Sequence, residues 1–126
     1  MKVKRTRNNG QWTEARYWQQ VRSSLRQGFR YWLPIKQCKM ASRRKYIGNN
    51  KRQKWEYKCA HCHQWFMDKQ VQVDHVIPVG SLRCTEDIKG FLERLTTETG
   101  FQTLCKPCHQ VKTNREKIAK NNIKKA

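Results

Sequence analysis

Two Cys-x-x-Cys turns, Cys59-Ala60-His61-Cys62 and Cys105-Lys106-Pro107-Cys108, constrain the fold of this chain more than anything else in it. Each turn aims two sulfurs at one point, and two such turns complete the tetrahedron that zinc takes in structural sites. One ion holding Cys59, Cys62, Cys105 and Cys108 would staple two segments that lie far apart in the sequence. The chain has 126 residues and is 37% hydrophobic. A domain of that size is marginal on core burial alone, and a structural metal is a usual remedy. Two unrelated pairs of reduced thiols are the plainer reading, and a redox dithiol needs only one of the turns. A disulfide framework belongs to an oxidising compartment. Met1-Lys2-Val3-Lys4-Arg5 leads into polar sequence with no apolar run, so no signal peptide is read and a reducing cytoplasm is expected. No stretch approaches the length of a membrane span, so no membrane partner is expected. Cys38 and Cys84 read as plain small residues, and His61 and His63 as surface residues beside the first turn.

Charge narrows the class of partner. The chain carries 28 Lys+Arg against 9 Asp+Glu, a net charge of +19. Residues 1–58 hold +15 of it, from 17 basic and 2 acidic side chains, and residues 59–126 the remaining +4. A basic arm on a nearly balanced domain is the electrostatic footprint of a nucleic-acid binder. A merely solvated tail is the alternative, but five Trp are interspersed among the charges. The expected division is a basic, aromatic-rich DNA-binding arm over 1–53, a domain over 54–120 and a basic tail over 121–126.

Within the arm, residues 1–11 are polar and read as disordered. Thr13 is a cap for a helix on which Trp18, Val21, Leu25, Phe29 and Trp32 recur at three- and four-residue steps, until Pro34 stops it. That stripe reads first as a core face. Arg22, Arg26 and Arg30 form a ridge on another face, either solvated or set against phosphates. Residues 36–54 read as a linker or a loop over DNA, or as helical up to Tyr46, with Arg43 and Arg44 as phosphate contacts. Beyond it, Trp55–Lys58, Trp65-Phe66 and Val71–Val73 read as short strands, the last two on either side of an Asp68-Lys69 turn. Residues 79–84 read as a loop, and Thr85 as the cap of a helix through Leu95. Gly100 marks a break, and a helix is expected over 108–119. The fold class is therefore α+β.

Asp74-His75 lies inside the run Val73-Asp74-His75-Val76-Ile77-Pro78. Polar groups among apolar neighbours usually have a job. Adjacent residues of an ideal strand point to opposite faces, so a shared role requires the strand to end or bulge there. His109 follows Cys108 directly, so a zinc-held turn would fix it. If His109 opens a helix, Lys112 lies about one turn on, near the same face. A carboxylate and two imidazoles suit a second metal and a general base. His109 as a spare zinc ligand or a surface residue is the other reading.

Taken together and in order, Cys59-x-x-Cys62, Val73-Asp74-His75-Val76-Ile77-Pro78 and Leu104-Cys105-x-x-Cys108-His109-x-x-Lys112-Thr113 resemble the HNH endonucleases. The resemblance runs from Lys58 to about Glu116, and the cysteine-framed form is similar to proteins of bacteriophages and mobile elements. It implies a small zinc-stapled ββα-metal domain and metal-dependent cleavage, or nicking, of DNA phosphodiesters. It implies His75 as the general base and Asp74 and His109 as ligands of a catalytic divalent cation, commonly magnesium, with manganese, nickel or zinc as substitutes. The four cysteines would hold a structural zinc, and Lys112 would lie on the DNA. The family's middle Asn, which braces the loop around the base, is replaced here by Gly100. A monomer is expected, acting in a host cytoplasm on DNA, with a phage packaging or replication protein as a further partner. A zinc-stapled nucleic-acid-binding module with an inactive HNH core is the alternative function.

Overall fold

A computed structural model describes residues 2–125 of the chain. Among the described residues, four α-helices and five strands follow one another in an α+β order: α1 (Glu14–Gly28), α2 (Leu33–Ala41), β1 (Arg43–Lys45), β2 (Trp55–Lys58), β3 (Trp65–Phe66), β4 (Val71–His75), α3 (Ile88–Leu95), β5 (Phe101–Cys105) and α4 (Lys106–Lys125). They form two compact units that interleave along the sequence, Met1–Leu33 with Ile77–Gly100, and Pro34–Val76 with Phe101–Ala126. Packing thus divides the chain differently from the arm-and-domain division at 53/54 that charge suggests. Among the described residues, no helix is long and apolar enough to cross a membrane.

The first unit is built on the stripe of α1. Thr13 caps this helix, its hydroxyl accepting the Arg16 N–H. Trp18 joins Val79, Leu82, Phe91 and Leu95 in a buried core, with Val21, Leu25, Phe29 and Ile88 packed around it. Burying each such side chain stabilises by about 1.5–3 kcal/mol. Trp32 does not continue the helix, because α1 ends at Gly28. Its indole N–H instead donates to the Thr97 carbonyl at 2.9 Å. Residues 7–11, within the stretch expected to be disordered, form with Trp12 a small bridged turn in which Arg7 pairs with Trp12, and the Arg7 guanidinium meets Glu14 at 2.5 Å. Thr85 does not cap α3: a single tight turn over Thr85–Asp87 comes first, and Asp87 precedes the helix. The Asp87 carboxylate is occupied by the Arg83 N–H at 3.0 Å.

The second unit holds both sheets. Pro34 does not end a helix but sits in the first turn of α2, where its missing N–H costs nothing. The basic run expected as a loop contains strand β1, antiparallel to β2, with Arg44 opposite Glu56. Cross-strand contacts replace intrinsic propensity here: Arg44 Nε meets Glu56 Oε1 at 2.6 Å, and the Arg43 and Arg44 guanidiniums lie 3.9 and 3.8 Å from the Trp55 and Trp65 rings. The sheet order is β1-β2-β3. β3 and β4, adjacent in sequence, do not pair. β4 pairs instead with the distant β5, antiparallel, with Asp74 opposite Gln102 and His75 opposite Phe101. Helix α4 starts at Lys106, directly after β5, takes Pro107 into its first turn and runs on to Lys125 through most of the segment expected as a tail. Ala126 lies outside the described residues.

Candidate metal centre and its neighbours

The first Cys-x-x-Cys turn is shaped by its backbone. The Cys59 N–H donates to the Gln64 carbonyl at 2.9 Å and the His63 N–H to the Cys59 carbonyl at 3.0 Å. His63 adopts φ +61°, a left-handed conformation uncommon outside glycine. The Ala60 N–H donates to the Thr103 carbonyl at 2.8 Å, which ties this turn to β5. Since β5 ends at Cys105 and α4 begins at Lys106, the same strand delivers the second turn.

All four sulfurs of Cys59, Cys62, Cys105 and Cys108 come to within 4.8 Å of one another, and those of Cys62 and Cys105 are 3.9 Å apart. Tetrahedral zinc–thiolate bonds of about 2.3 Å place sulfurs roughly 3.8 Å apart, so the cluster fits one zinc ion. Cys59 and Cys105 are buried and packed with Leu104 and Phe66. The cluster is thus also part of this unit's core.

Its electrostatics suit a cation. Burial pushes the Cys59 thiol up, but backbone N–H groups of Cys105, Cys62 and His61 directed at its sulfur outweigh that and bring it down to about 6. The His61 and Cys62 amides lie 3.4 and 3.5 Å from that sulfur. Cys108 moves the other way, to about 12, through its contact with Cys105 and burial. Burial likewise raises the Cys105 thiol. Four thiolates this close repel one another, and a divalent ion removes that repulsion.

Beside the cluster stands a second set of groups. The first turn of α4 brings His109 Nε2 to 3.4 Å from Asp74 Oδ1. One turn further on, Lys112 Nζ lies 3.0 Å from Asp74 Oδ2. It also donates to the His75 carbonyl at 3.1 Å and pairs with Glu116. Burial opposes the charge on Lys112, yet hydrogen bonds to Glu116 and Asp74 prevail and raise its pKa. The group therefore remains an ammonium at neutral pH. The Gln102 amide donates to Asp74 Oδ2 at 3.3 Å. His75 ends β4, and its ring packs 4.8 Å from the Phe101 ring. The structure thus gathers Asp74, His109 and Lys112 around one carboxylate and ties His75 to them through its carbonyl.

Gln102, Glu116 and Phe101 are additions to the residues picked from sequence. Glu116 was readable as the i+4 partner of Lys112. Gln102 and Phe101 enter only through the β4–β5 register. Asp74 and His109 can donate one oxygen and one nitrogen to a divalent cation at their observed separation.

The expected DNA contacts fall in both units. Arg26 extends over the Phe91 ring at 5.7 Å and Arg30 over the Tyr31 ring at 4.8 Å. Arg22 is half-buried on α1. Arg43 and Arg44 sit on the Trp55 and Trp65 rings. Lys112, expected on phosphate, is engaged by carboxylates. Cys38 is a half-buried small residue, its sulfur 3.8 Å from Thr103 Oγ1, and Cys84 is exposed. Comparison with protein-family models, curated proteins and solved structures finds no match.

Proposed function

We propose that this chain is a zinc-stapled, metal-dependent DNA endonuclease or nickase of the HNH kind, with β4, β5 and α4 as its ββα-metal element. The observation that carries the reading is the meeting of Asp74 and His109 at 3.4 Å, next to four cysteines clustered within 4.8 Å. In this reading the cysteines hold a structural zinc that fixes the start of α4, and so fixes His109. Asp74 and His109 would hold a divalent cation, commonly magnesium, which when bound offsets charge developing on the scissile phosphate. His75 accepts a proton from the attacking water and must be neutral to do so. Lys112 holds the carbonyl of His75 and the carboxylate of Asp74, and so keeps the strand end in place. Arg22, Arg26, Arg30, Arg43 and Arg44 hold the DNA backbone and make affinity salt-dependent. A phage packaging or replication protein as further partner, and a cytoplasmic setting, belong to the same proposal.

One observation favours a second reading. The Lys112 ammonium already lies 3.0 Å from the Asp74 carboxylate, and Gly100 stands at the family's Asn position. A zinc-stapled nucleic-acid-binding module without cleavage is consistent with both. Incubating the zinc-loaded protein with supercoiled plasmid, with and without added magnesium, manganese or nickel, separates the two. The nuclease reading expects open-circular product only with the added metal. Binding with no product under any metal favours the module.

A further inference from the structure

We infer that the β1–β2–β3 sheet carries a stacking site for an unpaired nucleobase, so that this protein prefers nucleic acid with a single-stranded segment. The inference rests on the nucleic-acid reading above and not on cleavage.

A groove of about 380 Å³ opens on this sheet, lined among others by Arg52, Lys54, Trp55, Tyr57, Met67 and Lys69. In the β1–β2 register, Lys45 stands opposite Trp55 and Arg43 opposite Tyr57, so these four share one face. Trp55 and Tyr57 give that face an aromatic surface. Tyr57 is buried and fixed, with Lys39 Nζ 5.3 Å from its ring. Trp55 is 38% exposed, although the Arg43 guanidinium lies 3.9 Å from its ring. An exposed indole braced by a guanidinium is pre-positioned to stack. Aromatic–base stacking is tolerant of sequence because every base has a π-face.

The charges around the groove choose the occupant. Arg52, Lys54 and Lys69 line it, and the acidic Asp68 on its wall is paired with Lys39 at 2.5 Å. An apolar peptide would bring no anion to these cations, and a second copy of this chain, itself at +19, would be repelled by them. A nucleotide brings both a flat aromatic base and a phosphate. The bases of an intact duplex are stacked on each other and cannot enter the groove, so the matching form is single-stranded or locally unpaired.

The test is a fluorescence-anisotropy titration of the full-length, zinc-loaded protein with three labelled oligonucleotides of equal phosphate number. These are a thymidine single strand, the same strand with abasic sites throughout its centre, and a blunt duplex. Trp55→Ala should weaken binding of the thymidine strand by roughly 5- to 150-fold, the range expected for removal of one base stack, and change duplex and abasic binding by less than about twofold. Trp55→Phe should restore most of the loss. Trp55→Leu, which keeps apolar bulk, should not. Zinc content and circular dichroism equal to the parent show that the variants fold. Equal weakening for all three probes, or no weakening for the thymidine strand, overturns the stacking site. If the parent binds none of the probes, the nucleic-acid reading falls and this site with it. Plasmid nicking by the parent, followed separately, reports on cleavage alone, so a failed nuclease reading leaves the stacking result interpretable.

Discussion

Lys112 donates from its ammonium to the backbone carbonyl of His75 at 3.1 Å, across the end of β4. The same ammonium meets Asp74 at 3.0 Å. One side chain thus anchors both residues of the Asp-His pair. Lys112→Ala leaves a carboxylate with only 14% of its side chain accessible without its cation. We expect a loss of about 1–3 kcal/mol of stability and a fall in nicking of roughly 10–100-fold, as for other groups that orient a metal ligand. Lys112→Arg should recover part of each. Thermal melts and plasmid nicking on the same preparations check both. Full activity in Lys112→Ala would show that the strand end needs no such brace.

Zinc should be present at about one per chain and should be needed for the second unit to stay folded, because Cys59 and Cys105 are core residues as well as candidate ligands. Cys62→Ser or Cys105→Ser should lower the melting temperature sharply and leave less than stoichiometric zinc. Elemental analysis of a reduced, folded sample checks this, and a folded protein with no bound metal contradicts it.

Acid should release that zinc. The Cys59 thiol lies below its ordinary value of 9.0, at about 6. A depressed thiol contributes stability that is complete above the unfolded value and disappears as pH falls through the folded one. Protons also compete with metal for every thiolate. Zinc captured by a colorimetric chelator should therefore rise as pH is lowered, with a midpoint below about 6 because the bound ion itself favours the thiolates. Zinc release that does not respond to acid would contradict a thiolate site.

Charge on α1 and on the turn that follows it should set part of the salt dependence of DNA binding. Arg26 is the wrong residue to test, since it packs over Phe91 and its removal also disturbs the core. Arg22→Gln with Arg30→Gln should reduce the slope of log affinity against log salt by about 0.9 for each phosphate that is no longer neutralised. An unchanged slope would place the binding surface elsewhere. Removing the arm outright is a poorer test, because Trp18 belongs to the core with Phe91 and β1 pairs with β2.

What the sequence disclosed was mostly local. Thr13 as a cap and the Trp18, Val21, Leu25, Phe29 stripe were readable because helix signals repeat within a few residues. The cysteine cluster was readable because each Cys-x-x-Cys turn sets two sulfurs side by side, and two such turns suit one tetrahedral ion. Strand β1 was hidden, since Arg43, Arg44 and Lys45 have little preference for strand and are held there by Glu56, Trp55 and Trp65. Pro34 was misleading: proline stops a helix from within but fits its first turn. The pairing of β4 with β5 was out of reach, because it joins residues separated by a whole helix. With it went Gln102 and Phe101, the neighbours that the register brings to Asp74 and His75.

The most direct measurement is the rate of supercoiled-plasmid nicking as magnesium is raised, for the zinc-loaded parent, His75→Ala, Asp74→Ala and His109→Ala. His75→Ala should lose roughly 10²–10⁴-fold at every magnesium concentration while binding DNA like the parent, because a general base acts in the transition state. Asp74→Ala and His109→Ala should lose activity and regain part of it at high magnesium, because they act by holding the ion. Rescue of His75→Ala by metal would make His75 a ligand rather than the base. Nicking by all three variants at the parental rate would contradict the nuclease account itself.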